Sequence, residues 1–238
     1  MSSQNEFEIN ARAVHQGPPL ALPAIVFVLL FVASLVANSM MTGGAPYPNP
    51  YNPVPQSQDY YTRFPNVVRV VAFLQFGAVM PLGIFTATVV SRLLFHRIKV
   101  AGVYIALFGG MAASILLGIS SLSAWVLSQP GVATEPSAMR VVQLFAFATG
   151  GVGHTTTLGL LLAGVSVPCL FLRLMPRWLA WFGLVIAAIA ELSILSMLFP
   201  AASILLPLGR FPAFVWLIAV GLTLPKQRQI VSGLGVAA

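Results

Sequence analysis

Five polar side chains lie inside long apolar runs of the sequence: Glu191, His154, Arg210, Gln75 and Ser114. Polar groups are costly within lipid, and those that occur there commonly mark functional sites or specific pairing. At about 1.5 Å per helical residue, each of the five lies roughly 20–24 Å from the cytoplasmic end expected for its run. We therefore predict one layer of ligand-binding or proton-relay candidates in the outer half of a membrane.

Glu191 and Arg210 offer the clearest choice of chemistry, because Glu191 is the only acid inside a clear apolar run. The favoured interpretation is an ion pair that joins the fifth run to the sixth. A ligand or proton site shared with His154 is the alternative, since imidazole titrates near neutral pH. In a third interpretation Arg210 extends to the headgroups and Glu191 stays neutral. For His154 alone, a structural hydrogen bond to a carbonyl or to Gln75 is favoured.

The sequence predicts no metal site, no cofactor and no catalytic residue. A metal ion would need more ligands than His154 and Glu191 provide. No second histidine lies in a span to bind haem, and Lys99 and Lys226 lie at membrane edges, where they cannot hold retinal. The motifs of P-loop, zinc-protease and serine-hydrolase sites are absent from the sequence. Cys169, the single cysteine, is interpreted as a buried core residue.

The composition requires lipid as the surrounding solvent. Of 238 residues, 58% are hydrophobic and only 7% are charged, whereas soluble domains carry roughly 25% charged residues. Spanning segments in hydrocarbon are helices or closed barrels, because their backbone groups must be satisfied internally. The apolar runs are about 20 residues long and do not alternate in polarity as barrel strands do. The predicted fold class is an all-α, polytopic transmembrane helix bundle of about six spans.

The order of apolar runs gives the domain organisation. A polar segment at 1–19 precedes a membrane domain at 20–225, and a tail follows at 226–238. The predicted spans are 20–41, 70–90, 100–127, 141–170, 178–199 and 204–224.

Three stretches of this domain depart from a simple span. The fourth run is too long for a bilayer core of about 30 Å, and "TGGVGH" at 149–154 is the expected break. The sixth contains Pro207 and Gly209, which suggest a re-entrant segment or a discontinuous helix. The prolines and aromatic residues at 43–65 predict a loop of polyproline character against the headgroups.

The distribution of basic residues predicts that both termini are cytoplasmic. With six spans and an inside N-terminus, eight of the twelve basic residues lie on the inner side and four on the outer side, as the positive-inside rule requires. The inner set is Arg12, Arg92, Arg97, Lys99, Arg173, Arg177, Lys226 and Arg228. The outer set is Arg63, Arg69, Arg140 and Arg210. Basic clusters of this kind are topology signals, so nucleic acid is not an expected partner.

Small residues recur every four positions along the third run, at Gly102, Ala106, Gly110 and Gly118, with Ser114 in the same series. Such a stripe allows helix backbones to approach closely. Packing within the chain is favoured, and packing against a second copy is the alternative.

Three stretches resemble a family of bacterial six-span membrane proteins catalogued as domain of unknown function 4386. They are "FGAVMPLGIFTATVVSRL" at 76–93, "MPRWLAWFGLVIA" at 175–187 and "FPAFVWLIAVGLTLP" at 211–225. The resemblance implies a six-span fold in the bacterial inner membrane and no particular activity. An acidic residue often precedes the last span in that family, whereas this chain has Arg210 there, so no role of that acid transfers.

Two functions remain comparably favoured by the sequence. One is binding or translocation of a small or lipophilic molecule at the polar layer. The other is a non-catalytic subunit or assembly partner in a membrane complex. A membrane-embedded enzyme that uses Glu191 and His154 as acid and base is the third and weakest. The partners expected are membrane lipids and either a second copy of the chain or another membrane protein.

Overall fold

A computed structural model describes residues 14–227, and its six longest apolar helical stretches are each able to cross a membrane. This confirms the predicted all-α bundle of six spans. The helices are α1 (Ala21–Met41), α2 (Val54–Arg63), α3 (Pro65–Phe95), α4 (Ala101–Leu127), α5 (Pro136–Phe147), α6 (His154–Leu172), α7 (Arg177–Leu192) and α8 (Leu205–Thr223). Residues 1–13 and 228–238, with Arg12 and Arg228, lie outside the described range.

The fourth span is continuous where the sequence predicted a break. Helices α5 and α6 are joined by a π-helical segment, Ala148–Gly153, and together they form one span of 37 residues. At about 1.5 Å per residue this is roughly 55 Å, so the span tilts or extends beyond the hydrocarbon. The glycines of this segment widen the helix by one residue per turn instead of ending it.

The last span is also continuous. Short 3₁₀ helices, Ser193–Met197 and Pro200–Ile204, turn the chain at the end of the bundle away from the chain ends. Helix α8 then runs from Leu205 through Pro212 to Thr223. The re-entrant or discontinuous segment suggested by Pro207 and Gly209 is not formed, because Pro207 lies in the first turn, where a helix tolerates proline.

The proline-rich segment between the first two spans contains helix α2, which the sequence did not predict. Pro53 and Pro55 flank the first residue of this helix, where a missing N–H does no harm, and Pro65 begins α3 in the same way. The prolines therefore start helices in this segment as well as extending the chain. Tyr60 and Tyr61 on α2 are buried, and they pack over the end of the bundle away from the chain ends.

The six spans form a closed ring. Each packs against the next along the chain, and α8 returns to α1. Phe214 of α8 closes the ring by meeting Phe27 and Phe31 of α1 edge to face, with both pairs of ring centroids 5.0 Å apart. Large apolar side chains fill the half of the ring nearest the chain ends.

Both ends of the described chain lie on the same side. The backbone N–H of His15 donates to the carbonyl of Lys226 at 2.9 Å. Arg92, only 1% exposed, donates to the carbonyls of Leu224 and Pro18 at 3.0 and 3.5 Å. Arg92 therefore has a structural role beyond its predicted contribution to topology, since it links α3 to the segments at both ends.

The stripe on α4 meets two other spans of the same chain. A Cβ built on Gly102 would lie 3.1 Å from the carbonyl oxygen of Gly164 in α6, whereas one on Gly110 would overlap Thr86 of α3. Gly109, which the sequence pattern missed, also meets the α6 backbone closely: its Cβ would lie 2.6 Å from Leu161 N and 2.7 Å from Thr157 O. The described contacts account for the stripe within one chain.

We expect Gly109→Ala to lower the free energy of unfolding by about 1–3 kcal/mol, because the backbone of α6 cannot yield to the added methyl group. Reversible unfolding in mixed detergent micelles measures the change. Gly118→Ala on the same helix is the matched control, since its Cβ would meet only Val79 at 3.6 Å and Phe76 at 3.9 Å. Equal destabilisation by both substitutions would contradict the proposed difference in packing.

The predicted orientation gives a labelling pattern. Ser137 at the start of α5 and Val100 before α4 are both exposed and lie at opposite ends of the bundle. Cys169 is fully buried and supplies little background. A membrane-impermeant maleimide should label Ser137→Cys in intact cells, and label Val100→Cys only after permeabilisation. The reverse pattern would show that the termini face outward.

Candidate functional site

The bundle contains a cavity of about 400 Å³ in the half away from the chain ends. Its walls come from α1, α3, α4, α5, the π segment and α8, together with residues 47–50 of the proline-rich segment, Tyr61 of α2 and Ser203. The apolar part includes Phe31, Leu117, Leu206 and Phe211. The polar part includes Ser34, Asn38, Gln75, Ser120, Gln143 and Arg210. This volume and this mixture are typical of small-molecule sites.

Among the described residues that line the cavity, Arg210 is the only charged side chain. Its Nη2 donates to the carbonyl of Gly150, to the carbonyl of Gly151 at 3.2 Å and to the hydroxyl of Thr155 at 3.1 Å. Its Cζ lies 5.6 Å from the centroid of the Phe31 ring. Its Nε is buried and has no hydrogen-bond partner among the described residues. The guanidinium therefore sits against neutral acceptors.

The π segment explains why carbonyl groups are available to Arg210. A π-helical turn shifts the backbone pairing by one residue, so some carbonyls lose their usual partner. Ser120 of α4 donates to the carbonyl of Ala146 at 2.8 Å, and Arg210 donates to those of Gly150 and Gly151. A Cβ on Gly150 would overlap Ser120. Glycine is thus required here for α4 to approach the widened turn.

Two hydrogen bonds hold cavity-lining side chains on the side of α1, where Ser34, Asn38 and Gln75 line the cavity. Gln75 of α3 donates to the hydroxyl of Ser34 at 3.2 Å, and that hydroxyl donates to the carbonyl of Phe31. Tyr60 of α2 donates to the side-chain oxygen of Asn38. These contacts hold α1, α2 and α3 around the cavity with polar groups directed inward.

Aromatic side chains contribute to the cavity wall, which includes Tyr47, Tyr61 and Phe147. Tyr51 donates to the carbonyl of Ser196 at 3.2 Å and meets the Phe147 ring edge to face at 5.6 Å. Burial raises the pKa of Tyr60 to about 12, and burial also raises the pKa of Tyr61. Both phenols are therefore neutral at physiological pH. Arg210 keeps the only formal charge on the cavity wall.

The structure brings two of the five predicted site residues to this cavity, Arg210 and Gln75. Ser114 donates to the carbonyl of Gly110 on its own helix, at 2.9 Å. His154 is fully buried, and its Nδ1 lies 2.9 Å from the carbonyl oxygen of Ala113. Its Nε2 has no hydrogen-bond partner among the described residues. The favoured structural role of His154, a hydrogen bond to a neighbouring carbonyl, agrees with this contact.

Glu191 does not pair with Arg210, contrary to the favoured interpretation of the sequence. Its Oε1 is buried without a hydrogen-bond partner in the described chain, 3.2 Å from where a Cβ on Gly159 would lie. The backbones of α7 and α8 meet beside it, since a Cβ on Gly209 would lie 3.0 Å from the Cα of Ala190. Glu191 follows Ala190 in the sequence, and Arg210 follows Gly209. Their side chains are directed to different parts of α6. The predicted site of acid, arginine and imidazole is therefore not formed.

Sequence reasoning missed most of the polar lining. Ser34 and Asn38 are separated by one helical turn in an otherwise apolar first span, which is the signal that would have identified them. Ser120 and Gln143 lie near the outer ends of their spans. An exposed position near the headgroups would account equally well for the polar character of Ser120 and Gln143.

Glu191 and His154 do not form a metal site. In the described part of the chain, no group of three or more His, Cys, Asp or Glu side chains is placed to hold a metal ion.

Comparison with known proteins adds no relative. No family model matches the chain, and no curated protein or solved structure matches it significantly. The resemblance to the six-span family therefore stays a prediction.

A double-mutant cycle tests the separation of Glu191 from Arg210. We expect Arg210→Gln to lower the free energy of unfolding by about 1–3 kcal/mol, because two carbonyls lose a charged donor. Glu191→Gln should have a small effect. The two changes should add to within about 0.5 kcal/mol, as independent sites do. Unfolding in mixed micelles supplies the four values, and a coupling above about 1 kcal/mol would restore the ion pair.

Proposed function

We propose that this multi-pass membrane protein binds a small lipophilic molecule in the cavity between its spans. The observation that carries the proposal is a cavity of about 400 Å³ with a largely apolar lining and a few convergent polar groups. A purely structural bundle gains stability by filling such a space, since empty volume forfeits packing contacts. Here the polar side chains are hydrogen-bonded around the space, so the cavity is maintained by its own walls.

An opening toward lipid supports a membrane-dissolved ligand. Leu35 of α1 and Phe211 of α8 line the cavity and yet are 41% and 42% exposed. Pro207, one turn before Phe211, also lines the cavity and is exposed. The exposure of these three lining residues supports an entrance between α1 and α8. A ligand entering there would come from the bilayer.

We further propose that the protein resides in a bacterial inner membrane with both ends in the cytoplasm. The support is the excess of basic residues on the side where the chain ends meet. The cavity then lies in the outer leaflet.

The experiment fills the cavity from one wall. Ala146 of α5 lines it and is only partly buried, so Ala146→Phe should occupy the space without disrupting the core. Native mass spectrometry of protein purified in a maltoside detergent should detect one co-purifying lipid-sized molecule on the unmodified chain. Its occupancy should fall several-fold in Ala146→Phe, because the aromatic ring takes its volume.

Ala188→Phe is the matched control, since Ala188 is exposed on α7 and does not line the cavity. Its occupancy should equal that of the unmodified chain. If the unmodified chain carries no bound molecule, or Ala146→Phe carries as much as the control, the proposal is wrong.

A further inference from the structure

Arg210 has no acidic partner in the described chain. Its three hydrogen bonds all come from Nη2 and all end on neutral oxygens. A guanidinium has five N–H donors, and the Nη1 group takes part in none of these hydrogen bonds. Neutral acceptors satisfy some donors but leave the positive charge uncompensated. In the low dielectric of a membrane protein, an uncompensated charge is expensive.

No acid on the cavity wall offsets this charge. The lining residues include neither Asp nor Glu, and the buried phenols of α2 stay neutral. Glu191, the nearest acid by sequence prediction, turns to Gly159 on α6 instead. Arg210 therefore gives the cavity a positive potential that a negatively charged ligand would relieve.

We propose, as a refinement of the cavity function above, that the ligand is an amphipathic anion. Its carboxylate or phosphate head accepts hydrogen bonds from Arg210, and its apolar chain leaves through the opening between α1 and α8. An arginine favours oxyanions of either kind, because its planar fork matches their geometry. The chain direction follows from Phe211 and Pro207, which flank Arg210 on α8 and are exposed at the opening.

The rest of the site fits this arrangement. Phe31 packs against the guanidinium, 5.6 Å from ring centroid to Cζ, and restricts the head to the remaining face. Gln75 lines the same cavity and uses one of its two amide N–H groups on Ser34, which leaves the other for the ligand head. The head would thus meet one charged donor and one neutral donor at the end of an apolar channel.

The test uses the full chain in nanodiscs of zwitterionic lipid at about pH 8, where a carboxylate probe is ionised. Equilibrium dialysis of radiolabelled dodecanoate against loaded and empty nanodiscs separates specific binding from partition. Unlabelled dodecanoate, dodecyl phosphate and 1-dodecanol then compete with the label. At least one of the two anions should compete about tenfold better than the alcohol, the difference expected for one charge-assisted hydrogen bond.

The two anions distinguish a carboxylate head from a phosphate head, and a preference for either supports the proposal. Acetate and inorganic phosphate test whether a free anion suffices. If acetate or inorganic phosphate displaces the label at the same concentration as dodecanoate does, the requirement for an apolar chain is overturned. Equal competition by 1-dodecanol would overturn the anion. If Ala146→Phe then loses the binding of 1-dodecanol, the proposed cavity function stands without the anionic head.

Arg210→Gln should reduce dodecanoate affinity about tenfold, to the level of the alcohol. Arg69→Gln is the matched control, because Arg69 also donates to a carbonyl, that of Ser128 at 3.2 Å, but does not line the cavity. The affinity of Arg69→Gln for dodecanoate should be unchanged. If Arg210→Gln does not fold, Arg210→Lys retains the cation and should keep the preference for anions over the alcohol. Loss of affinity in Arg69→Gln equal to that in Arg210→Gln would overturn the assignment.

Discussion

Within hydrocarbon, every backbone carbonyl that leaves its helical pairing needs another donor from the protein. The π segment at Ala148–Gly153 releases carbonyls at the middle of the longest span, and Ser120 and Arg210 supply the donors. That requirement fixes the position of α8, because Arg210 must reach the π segment from it. It also leaves a cation beside open space. The cavity, its charge and the approach of the last span all follow from one widened helical turn.

Close backbone contacts hold the spans of the rest of the ring together. Gly164 of α6 faces Gly102 and Ala106 of α4 so closely that a Cβ there would lie 2.5 Å from the carbonyl oxygen of Gly102. Helices without a hydrophobic driving force between them depend on such packing. These contacts lie toward the chain ends, where the ring is filled by apolar side chains. The outer half has fewer of them, so it can hold a cavity.

The fold was largely predictable because it depends on composition and run length. The scarcity of charge requires lipid, and runs of about 20 apolar residues require helices. The prediction was less accurate at glycine and proline residues, because each is compatible with two local structures. A break and a widened turn are both compatible with the glycines at 150, 151 and 153. Only the donors Ser120 and Arg210 make the widened turn favourable. Pro53 and Pro65 suit an extended loop or helix starts, and the aromatic packing of α2 decides for helices.

The position of each site residue along its helix was predictable, but the direction of its side chain around the helix was not. Distance along a helix follows from counting residues, so Arg210 and Gln75 were expected at one level, and both line the cavity. The direction of each side chain around its helix depends on which neighbours that helix meets. Contact between Gly209 and Ala190 sets how α8 rotates against α7, and this rotation separates Glu191 from Arg210. The sequence by itself determined a six-helix membrane protein with an arginine deep in its last span. Only tertiary packing decided that this arginine would face a cavity, because packing between helices fixes rotation and residue spacing does not.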